Sequence, residues 1–368
     1  MKYFKWVLIV LMMITVISFT ACSNAASGSP TYTVTYDDGL DEFEILVPYD
    51  IKQYHEGDTV TVLFTGVGYR DYYGLSGWSN GTTTFTSSGT TTFTMGNANV
   101  TLTAQWDGPY NTIGTKIPSV AKSVGDIVFS DGSAIPYSDF TTLDETTKDA
   151  KKTSAIALIF YKGKDLNSDD AEGHENTTTS RTLGVGLKHK KSGGLAWCLN
   201  TADAFNVNIT TIQCPSIYSH GSYTFTGDKN GSDNLEQIEA FTGVDDTATA
   251  NNYPAFYYAK NYKDQEDSRV AGTNYESGWY LPSIAELYKI YTNGIGTSKV
   301  FSLNTASEAL GGDKFATQTT SGGTLYWSST QNSTQGGALR LSFSNNGSFH
   351  SNGKQGTGTY VCAIREFN

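Results

Sequence analysis

One run of oxygen-bearing side chains, Asp228-Lys-Asn-Gly-Ser-Asp-Asn234 followed by Glu236 and Glu239, resembles a calcium loop. Hard cations are held by clustered oxygens, and Asp228, Asn230, Ser232 and Glu239 stand at positions 1, 3, 5 and 12 of a calcium-loop spacing. Position 6 is Asp233 rather than glycine, so the EF-hand turn is unsupported. A solvated Asx-turn loop is the plainer reading. Calcium stays open as a cofactor and no other is implied. Three cysteines, Cys198, Cys214 and Cys362, follow Cys22 along the chain. Their arithmetic is one pair and one leftover. Cys198–Cys214 closes a short loop and is the first choice, with Cys362–Cys198 as the alternative. No CxxC is present, and no Cys/His cluster has zinc spacing. His55, His174, His189, His220 and His350 are scattered, and G-x-S-x-G, H-E-x-x-H and Walker sequences are absent. Catalytic chemistry is therefore not expected. Lys188-His-Lys-Lys191 is a small basic patch that suits a sulfated glycan or a plain hairpin turn.

Composition narrows the partners. The chain has 368 residues, with 25 Lys+Arg against 36 Asp+Glu, a net charge of −11 and a pI near 4.9. Nucleic acid is excluded, because neutralising phosphate needs clustered Lys and Arg. Charged residues are only 17%, while Gly is 38, Tyr 23 and Phe 18. Low charge with many aromatics argues against disorder. The scarcity of Ala, Leu, Glu and Lys argues against a helical bundle. A β-rich extracellular protein with long Gly/Asn/Ser/Thr loops fits, and its length suits about two domains.

The first 21 residues read as an export signal. Lys2 and Lys5 precede an apolar run from Trp6 to Phe19, too short to span a bilayer comfortably. Phe-Thr-Ala-Cys22 then resembles a bacterial lipobox. That resemblance implies lipidation of Cys22 and a lipid anchor at the bacterial outer membrane or cell surface; an ordinary signal peptide is the alternative. Residues 22–30 are a small, polar tether. Loss of Lys2 and Lys5 with the signal takes the charge from −11 to −13.

Residues 31–107 read as strands throughout. Thr31–Tyr36, Thr59–Phe64, Thr91–Met95 and Val100–Trp106 alternate with period two between turns such as Asp37-Asp-Gly39. YTVTYDDG, YHEGDTVTV, LSGWSNG and FTMGNANVTLTAQW, in this order, resemble the β-grasp-like repeats of bacterial surface proteins, the internalin B-repeat type. The resemblance implies a spacer or contact module, with Trp78, Phe93, Leu102 and Trp106 in packing roles. Residues 108–123 read as a linker.

From Val124 onward strands and helices mix. Val124–Phe129, Ala155–Tyr161, Thr182–Lys188, Leu195–Cys198, Thr324–Trp327, Ala338–Phe343 and Tyr360–Arg365 read as strands. Thr142–Lys152, Asn234–Phe241 and Thr305–Leu310 read as helices. The clearest helix opens on a capping box, Ser283 and Glu286, with Ile284, Leu287, Tyr288 and Tyr291 on one apolar face. WYLPSIAELYKIY, ALGG, YWSSTQ, ALRLSFSNNG and YVCAIREF strongly resemble the bacterial Lcl C-terminal domain family, whose members look like distant variants of the C-type lectin-like fold. The match is strongest over 275–368. It implies two helices, a curved antiparallel sheet, long loops, and adhesion to a polysaccharide or host glycoprotein. The fold expected is thus α+β, a small β-grasp-like module plus a C-type lectin-like domain over 124–368.

The calcium–sugar motifs of that fold, Glu-Pro-Asn or Gln-Pro-Asp and Trp-Asn-Asp, are absent. Glycan contact would then rest on ring stacking and amide hydrogen bonds in the loops of 316–358. Tyr326, Trp327, Asn332, Gln335, Asn345, Asn346 and His350 are the candidates, with core packing as the alternative for Trp327 and Trp279. The function expected is a lipid-anchored, non-enzymatic adhesin or glycan-binding protein. A structural or protein–protein module of the bacterial envelope is the alternative.

Overall fold

The computed structural model describes residues 29–40, 45–167, 180–219, 222–241, 249–315, 325–333, 336–343 and 347–367. The signal, Cys22, His174, His220, Gln335, Asn345 and Asn346 lie outside them. The chain mixes α and β structure, with sheet dominant. It divides into two units: one of residues up to Gly39, Val47–Gly66 and Gly77–Ala104, the other of Leu40–Leu46, Val67–Ser76 and everything from Gln105 onward.

The strands of the first unit are β1 (Val34–Asp37), β2 (Thr59–Thr61), β3 (Gly74–Ser79), β4 (Thr84–Phe85), β5 (Thr92–Thr94) and β6 (Val100–Asp107), with Gly74–Ser76 of β3 and Gln105–Asp107 of β6 counted in the second. They pair as a four-stranded sheet, β1-β6-β3-β4, and a two-stranded one, β2-β5. β1 lies parallel to β6, with Val34 opposite Val100. Alternation places Val34, Tyr36, Val60 and Leu102 inward, and Trp78 is completely buried. Tyr36 meets Trp78 edge-on at 4.8 Å, and its hydroxyl accepts from the Leu63 N–H at 2.7 Å. Trp78 and Leu102 are core residues; Phe93 and Trp106 are half-buried.

Among the described residues the second unit carries eleven strands: β7 (Asp126–Phe129), β8 (Ala134–Pro136), β9 (Ala155–Gly163), β10 (Arg181–Leu195), β11 (Ser216–Ser219), β12 (Ser222–Thr226), β13 (Trp279–Tyr280), β14 (Leu325–Gln331), β15 (Gly337–Ser342), β16 (Phe349–Gly353) and β17 (Thr359–Glu366). Its helices are α1 (Tyr137–Thr142), α2 (Glu145–Lys152), α3 (Gly231–Phe241), α4 (Pro254–Lys260), α5 (Ile284–Ile290) and α6 (Leu303–Ala309). Nine strands form one sheet in the order β16-β15-β14-β17-β10-β9-β7-β8, with β13 also on β17. Every pair in it is antiparallel except β14–β17.

Both faces of this sheet are covered, so its middle strands are buried on successive residues rather than on alternate ones. On one face Leu158, Leu183, Tyr326 and Leu341 pack with α5 and α6 through Ile284, Leu287, Ile290 and Leu303. On the other, Ala157, Ile159, Trp327 and Ala363 pack with α4 through Ala255, Phe256 and Ala259. The helices are thus more numerous than the two expected of the head.

The expected linker is instead strapped onto the second unit. Lys116 exchanges backbone hydrogen bonds with Ala134 at 2.8 Å each, and its buried ammonium bonds the buried Asp126 carboxylate at 2.7 Å. Gly114 lies so close to Ala134 that a Cβ would stand 2.3 Å from its carbonyl oxygen, which requires glycine there.

Candidate functional site

Tyr326 and Trp327 do not face solvent. Both are 0% exposed, and being consecutive in β14 they enter opposite cores. The Tyr326 hydroxyl lies 3.1 Å from His189 Nδ1, and Trp327 Nε1 donates to the Leu195 carbonyl at 2.8 Å. As placed, neither ring can stack on a sugar; the core alternative holds for Trp327 and equally for the buried Trp279. Asn332 sits at the β14–β15 turn, where its Oδ1 accepts from the Ser333 N–H at 2.7 Å. His350 is exposed on β16.

The acidic run is a helix start rather than a cation loop. Asn230 Oδ1 accepts from the Ser232 N–H at 3.1 Å, capping α3. Asp228 is 1% exposed and turned inward, accepting from Asn234 Nδ2 at 2.6 Å, Thr330 Oγ1 at 3.0 Å and the Asn230 N–H at 3.0 Å. Burial pushes its carboxyl up to about 7. Glu239, two turns along α3, pairs with Lys260. The four expected ligands therefore do not converge. Among the described residues no group of three or more His, Cys, Asp or Glu is placed to hold a metal ion.

Cys198 and Cys362 are buried free thiols, and Cys214 is buried as well. Cys198 belongs to the core on one face of the sheet, whereas Cys214 and Cys362 belong to the other. The sheet stands between the partners of either pairing expected with Cys198. The basic patch is also largely neutralised: Lys188 pairs with Asp267 at 3.5 Å and Lys191 with Asp313 at 3.1 Å. His189 between them is buried, which drives its pKa down to about 3.

What the fold does bring together at the surface is a set of rings. Tyr223 and Phe225 from β12, Tyr288 and Tyr291 from α5 and the turn after it, and Phe349 from β16 form one continuous cluster. Centroids are 4.7 Å apart for Tyr223–Tyr288, 5.0 Å for Tyr223–Phe349, 5.4 Å for Tyr288–Phe349 and 6.1 Å for Tyr288–Tyr291. Phe225 forms the floor at 7% exposure, while Tyr223 is 40% exposed. Tyr288, Tyr291 and Phe349 are intermediate. Phe225 has φ +46°, a strained value for a bulky residue that the surrounding rings hold in place. The hydroxyls of Tyr288 and Tyr291 have no hydrogen-bond partner among the described residues. Partial burial raises both phenols above their ordinary range, so they stay protonated donors.

α5 is what aims two of these rings. Ser283 Oγ accepts from the Glu286 N–H at 3.2 Å, and Glu286 Oε2 accepts from the Ser283 N–H at 2.8 Å, completing the capping box. Glu286 is fully buried and further engaged by Arg181 at 3.1 Å and by the Tyr280 hydroxyl at 3.2 Å. Ile284, Leu287 and Ile290 turn inward, leaving Tyr288 and Tyr291 on the flank. The Gly347 turn lies against Tyr291, where a Cβ would come within 2.7 Å of the ring.

Tyr288 and Tyr291 were legible as part of an apolar helix face, but not as its exposed margin. Tyr223 and Phe349 had no sequence signal beyond being aromatic in polar surroundings. His350 neighbours Phe349 in sequence, yet alternation along β16 sends the two side chains to opposite faces.

Comparison with family models, curated proteins and solved structures found no match to this chain. Among the described residues no helix is long and apolar enough to cross a membrane.

Proposed function

We propose that this chain is a non-enzymatic glycan-binding adhesin of the bacterial surface. In this reading Cys22 is its lipid anchor, the first unit a β-grasp-like spacer and the second a C-type lectin-like head. The observation that carries the binding role is the Tyr223–Tyr288–Tyr291–Phe349 ring cluster, half exposed, in which the phenols of Tyr288 and Tyr291 have no partner among the described residues. Ring faces match the C–H faces of a sugar, and phenol hydroxyls match its hydroxyls. Neutral polysaccharide or host glycoprotein suits such a surface. The anchor and surface location rest on the lipobox-like sequence, and the fold assignments rest on the motif resemblances.

The test is a glycan array probed with the full chain in detergent, with and without calcium. Binding of a glycan class that falls at least tenfold in Tyr288→Ala and Phe349→Ala would support the reading. No glycan signal in either condition, with the protein folded, would remove it.

A second reading, a protein-contact module of the envelope, draws on the first unit. There Tyr49 and Ile51 are 85% and 81% exposed. Capture of an envelope protein that Tyr49→Ser with Ile51→Ser abolishes, and that glycans do not compete, would favour it.

A further inference from the structure

We propose that the second unit also holds a groove for a singly charged, carboxylate-bearing ligand of about sugar size, set between Lys122, Lys162 and Arg365. Two cavities of about 420 and 460 Å³ share Lys122 and Phe367 in their walls. Each falls within the range of small-molecule sites. The first is also lined by Arg365 and Glu366; the second is lined by Lys162 and Thr182.

The walls hold cationic groups with donors to spare, although Asp126 lies close enough to Lys122, and Glu366 to Arg365, to favour their charge. Lys122 is 4% exposed, and its ammonium donates only to the Pro118 carbonyl, at 3.1 Å, among the described residues. A buried ammonium with donors to spare is costly, and a carboxylate would supply the missing acceptors. Lys162 makes no ion pair with any described residue. It stands directly across from Thr182 in the β9–β10 register, so ammonium and hydroxyl share one side of the groove. Arg365 uses Nε on the Ser277 carbonyl and Nη1 on the Glu366 carbonyl, at 2.8 and 2.7 Å, which leaves Nη2 without a described partner. Its guanidinium lies over the Tyr275 and Phe367 rings at 4.9 and 5.3 Å, which fixes its direction.

Glu366 is the carboxylate on the lining, and its Oε2 faces Arg181 Nε at 3.5 Å. Its charge favours a monoanion over a doubly charged phosphate. The net charge of −11 disfavours anions at long range, but salt screens it beyond about 8–10 Å, so the nearby cations dominate inside the groove. None of the groove residues belongs to the ring cluster, so this site is independent of the proposed adhesive face.

The experiment is calorimetric titration of the full chain in detergent with D-galacturonate, D-galactose and inorganic phosphate. Galacturonate is expected to bind at least tenfold more tightly than either of the others, and to weaken as salt is added. Lys162→Gln, an exposed position, and Arg365→Gln should each weaken galacturonate binding at least fivefold. Lys314→Gln makes the same change in net charge on a distant exposed pair and should leave the affinity unchanged. Equal affinity for galactose and galacturonate, tighter binding of phosphate, absence of galacturonate binding, or wild-type affinity in both groove variants would each overturn the proposal.

Discussion

Glu286 Oε2 accepts a hydrogen bond from the backbone N–H of Gly231 at 3.0 Å, so the first turn of α5 also ties down the first turn of α3. One carboxylate thereby serves two helix starts, and Arg181 balances its charge. Gly231 packs so tightly there that a Cβ would lie 2.4 Å from the Leu281 carbonyl oxygen.

Glu286→Ala is expected to destabilise the second unit by about 3–5 kcal/mol, because it leaves Arg181 buried with its main counter-ion gone. Glu286→Gln keeps most of the hydrogen bonds and should cost less. Urea denaturation followed by tryptophan fluorescence reads both. Equal stability of Glu286→Ala and the parent would contradict the arrangement.

The Asp228 contribution to stability should fall as pH rises from 5 to 8, while the buried His189, its pKa lowered to about 3, works the other way up to its ordinary 6.5. Burial raises the Asp228 carboxyl to about 7 from an ordinary 3.8, so the folded state holds this proton more tightly than the unfolded chain does. The stabilisation is complete below about pH 4 and is lost as pH rises through about 7. Glu286, which faces it, is also raised by burial and adds in the same direction, opposed by Arg181. Asp228→Asn is expected to make the slope of stability against pH more positive between pH 5 and 7; an unchanged slope would assign the dependence elsewhere.

Trp327→Ala and Tyr288→Ala should separate core from surface. Removing the fully buried Trp327 costs about 3–5 kcal/mol and leaves a cavity in the sheet. Tyr288→Ala, at a half-exposed ring, should cost about 1 kcal/mol and act on glycan binding instead. Thermal melts beside binding assays distinguish the two. Comparable melting losses in both variants would place Tyr288 in the core as well.

Cys198 and Cys362 should resist alkylation in the native protein and react once it is unfolded, with no reductant needed. Burial raises the Cys198 thiol to about 12 and holds Cys362 high as well, so little thiolate forms. Mass spectrometry after iodoacetamide treatment, with and without urea, counts the labels. A Cys198–Cys214 crosslinked peptide would show the pairing that the two cores keep apart.

Local chemistry was the legible part. Ser283 and Glu286 sit three residues apart and act on each other's backbone, so the sequence alone exposes the box. The Asx turn at Asp228 was legible, but helix caps and cation loops use the same short oxygen-bearing side chains, so the calcium alternative stood beside it. Their difference lies in where Asp228 points, which Thr330, 102 residues away, decides. Tyr326 and Trp327 resembled an exposed pair because Ser, Thr and Gln follow them in β14; a sheet covered on both faces buries them all the same. The ring cluster needed three distant segments to meet, and no local pattern records that meeting.

Those polar residues of β14 work like the pins of a lock. Ser328 through Gln331 are each fully buried, and each answers to a different piece of chain. The Ser328 carbonyl takes Trp197 Nε1 at 2.9 Å, Ser329 Oγ takes Asn234 Nδ2 at 2.8 Å, Thr330 Oγ1 reaches Asp228 at 3.0 Å and takes the Ile284 N–H at 2.9 Å, and Gln331 Nε2 reaches the Val207 carbonyl at 2.7 Å. The roots of the long loops are thus indexed to a single strand, and sequence drift at their tips could retune what the surface meets without unseating the scaffold.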